Sequence, residues 1–99
     1  MLANVSEASK DQNGSRIIQQ YFEGAARDER DMIFQQVMEH ANTLFTDMFG
    51  NYVIQKILQL GTLHQKLRIY ELMKGKVFAL SQHMYSCRIV QKALEVSLK

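Results

Sequence analysis

One short pattern, written three times at a fixed interval, constrains this chain more than any other feature. It reads Ser15-Arg16-Ile17-Ile18-Gln19, then Asn51-Tyr52-Val53-Ile54-Gln55, then Cys87-Arg88-Ile89-Val90-Gln91, and both steps are 36 residues. Equal-length units in a short chain imply a repeat array, in which each unit buries its apolar face against its neighbours. The register extends beyond the pattern: Gly14 matches Gly50, Ile33 matches Ile69, Phe34 matches Tyr70, Val37 matches Met73, Leu44 matches Leu80 and Met48 matches Met84. The repeating object is therefore a whole supersecondary unit.

That unit reads as three helices. The chain has no proline and five glycines, which favours helix over loop and sheet. Motif helices are predicted at about Ser15–Glu23, Asn51–Leu60 and Cys87–Val96, and short helices at Asn42–Asp47 and Val77–His83. Packing helices are predicted at Asp28–His40, with Met32, Ile33, Phe34 and Val37 on one side, and at His64–Met73, with Leu67, Ile69, Tyr70 and Met73. Asp28, Glu29 and Asp31 suit the first turn of a helix, where its dipole favours acids, and read as a solvated helix start. Thr62-Leu63-His64-Gln65 has the form of a capping box, and Gly61 and Gly75 stand where helices should stop. Met1–Ser9 reads as a frayed end. The expected units run 3–38, 39–74 and 75–99, the last incomplete, and the apolar edge beyond Val96 calls for a further unit to cover it.

On a helical wheel the first motif helix has a broad apolar arc of Ile17, Ile18, Tyr21 and Phe22, while Ser15, Arg16 and Gln19 sit side by side on the other arc. The second and third helices repeat this with Val53, Ile54, Ile57, Leu58 and with Ile89, Val90, Ala93, Leu94. Stacked units would align the triplets Ser15/Arg16/Gln19, Asn51/Tyr52/Gln55 and Cys87/Arg88/Gln91 into a polar ladder. Each triplet has the parts needed to hold a nucleobase. A glutamine amide donates and accepts at once and can pair with a base edge. Arg16, Tyr52 and Arg88 offer planar groups for stacking. Ser15, Asn51 and Cys87 can tune which base fits. Ser and Asn also favour helix N-caps, but three in register with an invariant Gln are poorly explained by capping alone.

Charge is uneven. Residues 1–49 carry four basic and eight acidic side chains, −4 in all, and residues 50–99 carry eight and two, +6 in all. A basic half attracts anions such as nucleic acid. The chain has no apolar run near the roughly 18–20 residues of a membrane span, and Met1–Lys10 lacks the basic-then-apolar order of a signal peptide. The lone Cys87 fits a reducing compartment, so a cytoplasmic location is expected. Cys87 and His83 stand four apart, yet a nucleophile needs a base and an orienting third group and zinc needs about four ligands. With His40 and His64 at no ligand spacing and no glycine-rich phosphate loop, neither catalysis, a metal, a cofactor nor a small-molecule substrate is expected. His83 reads as a surface or inter-unit residue, and Phe34 and Tyr70 read as core.

The segments Gly14–Gln19, Phe49–Lys56 and Met84–Leu94 resemble motif helices of the Pumilio-homology (PUF) RNA-binding family, and the order Ser-Arg-Gln, Asn-Tyr-Gln, Cys-Arg-Gln is similar to the first three repeats of Pumilio-type members. The resemblance covers about residues 5–97. It implies an all-α fold, a right-handed α-solenoid of three-helix repeats, each reading one base of single-stranded RNA. It further implies that Ser15/Gln19 and Cys87/Gln91 read adenine, that Asn51/Gln55 reads uracil, and that Arg16, Tyr52 and Arg88 stack on the bases. With RNA antiparallel to protein the three units would read 5′-AUA-3′, the 3′ part of a UGUA-type element in messenger 3′ untranslated regions, in post-transcriptional control. Full members of the family have eight repeats, including one that reads guanine through a Ser/Glu pair and C-terminal ones that dock regulatory proteins; these are not in this chain. The rival reading is a helical-repeat scaffold that binds protein, which has no need of a stackable group and a glutamine recurring together.

Overall fold

A computed structural model of the chain describes residues 8–97. Its helices are α1 (Gln12–Gly24), α2 (Arg27–Glu39), α3 (Ala41–Phe45), α4 (Gly50–Leu60), α5 (Leu63–Met73), α6 (Val77–Gln82) and α7 (Ser86–Ser97). No strand occurs among the described residues. The motif helices α1, α4 and α7 lie in one layer, with α4 packed against α1 on one side and α7 on the other. The fold is the all-α stack of three-helix units expected from the register; α3, α4 and α5 make the middle unit.

Each motif helix starts earlier than its wheel pattern suggested, and in each a side chain four residues before the pattern accepts from the backbone at the helix entrance. The Asp11 carboxylate accepts from the backbone N–H of Asn13 at 3.1 Å and of Gly14 at 2.9 Å. Asp47, 36 residues on, accepts from Phe49 at 2.9 Å and Gly50 at 2.7 Å. Such contacts satisfy N–H groups that the first turn leaves without intrahelical partners. In the third unit the position is His83, whose Nδ1 accepts from the Tyr85 N–H at 3.1 Å. The helix entrance is also tight. A Cβ on Gly14 would stand 2.3 Å from the Ala8 carbonyl oxygen, and one on Gly50 2.7 Å from Leu44 Cδ2. Ser86 occupies the same place in the third unit, fully buried, its hydroxyl donating to the Leu80 carbonyl at 2.6 Å. The Thr62/Gln65 capping box is present, and Gly75 turns the chain after α5 with a φ of +81°.

The core joins the units. Ile18, Val37, Leu44, Ile54, Ile57, Leu58, Ile69 and Ile89 are fully buried in one cluster with Phe22, Phe34 and Met73. Each such side chain contributes roughly 1.5–3 kcal/mol of hydrophobic burial. Four expected core positions are not core. Met32 is 45 % exposed, Leu67 52 %, Ile17 52 % and Leu94 59 %. For Ile17 the reason is position in the array, since its register mates Val53 and Ile89 are buried against a preceding motif helix. Of the expected frayed end, residues 1–7 lie outside the described ones, whereas Ala8 and Ser9 are helical and Ser9 is buried. The acids of α2 are not merely solvated. Asp31 accepts from the buried Gln65 amide at 2.6 Å, and Glu29 accepts from the Tyr21 hydroxyl, a bond that raises the phenol's pKa.

At the far end, a groove of about 680 Å³ is lined by Leu67, Tyr70, Met73, Val77, Val90, Ala93 and Leu94. The counterparts of six of these one unit earlier (Phe34, Val37, Ala41, Ile54, Ile57 and Leu58) are buried in the cluster with Ile69 and Met73 of α5. The groove is thus the bed that an α5-like helix fills in the middle unit. No helix of the described residues is long and apolar enough to cross a membrane.

Arg30 of α2 ties two helix ends together. Its guanidinium donates to the carbonyls of Phe22 at 2.8 Å and Glu23 at 2.8 Å, closing α1, and to that of Leu60 at 3.3 Å, closing α4. It also lies over the Phe22 ring, 5.2 Å from its centre. Charged donors on otherwise unpaired C-terminal carbonyls give the stronger class of hydrogen bond. Arg30→Ala is expected to cost about 2 kcal/mol of stability, measured by urea unfolding; a loss below about 0.5 kcal/mol, the usual range of surface substitutions, would show that this staple does not matter.

Candidate nucleic-acid interface

The ladder forms, but its rungs are not level. Arg16, Tyr52 and Arg88 are exposed, Gln19 and Gln55 are half-buried, and Gln91 is exposed. The first position of each triplet sits deeper than the wheel implied: Ser15 is 2 % exposed and Asn51 fully buried, while Cys87 is half-buried. Helix geometry alone puts these residues on the open arc. The loop before the next motif helix closes over Ser15, and the polar groups around Asn51 draw its amide inward.

Each buried group is fully engaged. The Ser15 hydroxyl donates to the Phe49 carbonyl at 2.8 Å and accepts from Gln19 Nε2 at 3.1 Å. Asn51 Nδ2 donates to the carbonyls of Asp47 at 2.8 Å and Met48 at 2.9 Å, and its oxygen accepts from Gln55 Nε2 at 2.8 Å. The Cys87 thiol donates to the Met84 carbonyl at 3.3 Å. In the first two units, then, the residue that opens the triplet holds the residue that ends it, across one helical turn. Buried polar groups are stable only when paired in this manner.

Between the first two units lies a cleft of about 370 Å³, lined by Gln12, Ser15, Arg16, Gln19, Phe49 and Tyr52. This is within the size range of small-ligand sites, and it places two planar groups, Arg16 and Tyr52, beside one glutamine amide. The next interval differs. The Arg88 guanidinium lies over Tyr52, 5.8 Å from the ring centre, and donates to its hydroxyl. A planar ligand entering the second interval must move Arg88 off Tyr52.

Sequence reasoning missed Phe49 and Gln12 as cleft residues, Asp11 as the cap of α1, and Asp47 as the acceptor for the backbone N–H groups of Phe49 and Gly50 at the entrance of α4. The two aspartates were legible, since Asp precedes Gly by three residues in both units; the Phe49 carbonyl, a backbone group from the neighbouring unit, carried no side-chain signal. Lys56 pairs with Glu23 at 3.3 Å and Lys76 donates to Asn42 at 3.1 Å, so part of the basic half is engaged in joining units. Cys87 and His83 form no metal group: among the described residues no three His, Cys, Asp or Glu side chains are placed to hold an ion.

Residues 4–38, 46–73 and 76–98 match the Pumilio-family RNA binding repeat. The chain is 47 % identical over 92 residues to Pumilio homolog 1 of Xenopus laevis, covering 93 % of this chain and 8 % of that protein. It is 46 % identical over 80 residues to the mRNA-binding protein puf3 of Schizosaccharomyces pombe, covering 80 % of this chain and 11 % of the relative. The chain therefore spans about a tenth of the length of these curated relatives. Among solved structures it is similar to a Puf3 RNA-binding domain bound to an RNA 3′ UTR recognition sequence, with a TM-score of 0.92 and 41 % identity over 95 % of this chain and 27 % of that one. It is also similar to PUF-8 in complex with PBE-RNA, with a TM-score of 0.85 and 40 % identity over 92 % and 27 % of the two chains.

Asn51 tests whether the buried rung is a structural element in its own right. Asn51→Ala removes the donor to two carbonyls at the entrance of α4 and the acceptor for Gln55, and is expected to lower stability by about 1–3 kcal/mol. Urea unfolding measures it, and a change inside about 0.5 kcal/mol would mean that water replaces the amide at no cost.

Proposed function

The chain belongs to the Pumilio family of RNA-binding repeats, and we propose that it binds single-stranded RNA in a sequence-specific manner, one base to each unit. The units are taken as residues 3–38, 39–74 and 75–99. The base edges meet Ser15/Gln19, Asn51/Gln55 and Cys87/Gln91, and the base planes lie on Arg16, Tyr52 and Arg88. The sequence read is 5′-AUA-3′, with the 5′ adenine at Cys87/Gln91, as the 3′ part of a UGUA-type element in messenger 3′ untranslated regions. The role is post-transcriptional regulation, in which regulatory proteins dock on repeats other than these three.

The observation that carries this reading is the cleft between Arg16 and Tyr52, with the Gln19 amide at its wall. A planar ring with a hydrogen-bonding edge fits that chemistry, and a peptide backbone does not require it. The relatives support the ligand class: solved neighbours are PUF domains bound to RNA. Three stacks of roughly 1–3 kcal/mol each, reduced by the entropy of ordering the RNA, give weak binding for three units alone.

Two substitution sets test the assignment. Asn51→Ser with Gln55→Glu replaces an amide pair by a hydroxyl that can donate to a carboxylate, and the carboxylate accepts from the donor-rich edge of guanine. Preference at the middle base is expected to move from uracil to guanine, read by competition among RNAs differing only there; an unchanged preference sinks the base assignment. Arg16→Ala and Arg88→Ala are each expected to weaken binding by about 1–3 kcal/mol with the same base chosen. Loss of the folded helical signal in these variants would instead make the two arginines structural.

A further inference from the structure

The slot of the first unit has a wall residue that the triplets do not include. Gln12 opens α1 and lines the cleft with Ser15, Arg16 and Gln19 of its own unit and with Phe49 and Tyr52 of the next. At about 100° per residue it stands roughly 20° from Gln19 around the helix, between Ser15 and Arg16 and one turn nearer the helix start. The Asp11 carboxylate, bonded to the N–H groups of Asn13 and Gly14, fixes the backbone on either side of it. Its side chain is exposed, and among the described residues its amide has no hydrogen-bond partner. The residues one and two units further on are Met48 and Met84, both exposed. The position thus faces outward in every unit, unlike that of Ile17, whose exposure belongs to the end of the array. Only in the first unit does it carry a hydrogen-bonding group.

The planar groups that flank the slot come from successive helices, Arg16 from α1 and Tyr52 from α4. A ring lying between them runs parallel to both helices, so the edge it turns inward lies along α1. Gln12 and Gln19 are seven residues apart, roughly 10 Å along the axis, and so meet different stretches of that edge. Adenosine is the nucleotide assigned to this unit. Beyond the stretch that one amide pairs with, it has the ring nitrogen N7 on one side and the ribose 2′-hydroxyl on the other. N7 accepts, and the hydroxyl both donates and accepts; a glutamine amide suits either. Resting on the RNA-binding reading above, we propose that Gln12 is a further recognition residue, whose amide hydrogen-bonds the N7 or the 2′-hydroxyl of the nucleotide held between Arg16 and Tyr52, whichever of the two is turned toward the start of α1. Ser15 and Gln19 keep their base-edge role beside it. Met48 and Met84 offer no such bond, so the 3′ nucleotide, the one in the first unit, has a contact that the other two lack.

Gln12→Met tests this, because the fold already carries methionine at the equivalent place in the other two units. Binding of the full chain to an AUA-ended RNA is expected to weaken by about 3–10-fold, the worth of one hydrogen bond, with the helical signal and the urea midpoint unchanged. Removing the 3′ adenosine from the RNA should abolish the difference between the two proteins, as a double-mutant cycle requires of a direct contact. Two analogues at the 3′ position, 7-deazaadenosine and 2′-deoxyadenosine, locate the bond: one of them should weaken binding to the unchanged chain by the same factor and make no difference to Gln12→Met. The side-chain amide resonances of Gln12 should shift on adding the whole RNA and stay in place with the shortened one. Equal binding by both proteins overturns the proposal. So does a weakening that persists with the shortened RNA, which would put the effect in the start of α1, and so does one that neither analogue reproduces. A chain that binds no RNA refutes the reading of function and the contact with it, whereas RNA binding that Gln12→Met leaves unchanged refutes the contact alone.

Discussion

Everything in this structure depends on the side-by-side packing of the three motif helices. A single helix–turn–helix unit has too little apolar surface to fold alone, and here Ile18, Val53, Ile54, Ile57, Leu58 and Ile89 form a continuous buried seam through α1, α4 and α7. Among the described residues, only α4 has a motif helix on both sides. Nearest-neighbour packing of this kind makes stability a sum over interfaces, and Arg30, which closes the ends of α1 and α4 with one guanidinium, reinforces the interface between the first two units.

The same packing builds the candidate site. Because the units are stacked in register, one face of the layer carries Arg16, Tyr52 and Arg88 in a row, and the cleft between the first two is made of side chains from two units. The Ser15 hydroxyl bonds a carbonyl of the neighbouring unit, so the wall of the cleft and the inter-unit contact are one piece of structure. Recognition groups held by the scaffold lose less freedom on binding than groups on loops. The two intervals are not equivalent: one is open, and the other is occupied by the contact of Arg88 with Tyr52. A ligand spanning both meets a prepared slot first and must rearrange the second.

Much of the fold was legible because its signals are local or periodic. The 36-residue step set the number and order of the units, the helical wheel identified the faces, and Thr62 and Gln65 announced the α5 cap that the structure contains. Helix starts were placed late because Asp11 and Asp47, which accept from the backbone at the entrances of α1 and α4, lie upstream of the apolar pattern. The wheel put Ser15 and Asn51 on the surface because it treats a helix as isolated. It contains no neighbouring loop to cover Ser15 and no carbonyls to hold the Asn51 amide.

The sequence by itself determined the period, the helical composition of each unit and the residues that occupy each rung, since these follow from spacing and from the chemistry of single side chains. Only the tertiary structure decided which of those residues meet solvent. Ile17, Val53 and Ile89 hold one register position, yet are 52 %, 2 % and 0 % exposed; Phe22, Leu58 and Leu94 hold another, at 1 %, 0 % and 59 %. Identical pattern positions differ because burial belongs to the neighbour and not to the residue. The direction of the hydrogen bonds behind Gln19 and Gln55 was decided in the same way, by fixed backbone carbonyls that folding brings up to Ser15 and Asn51.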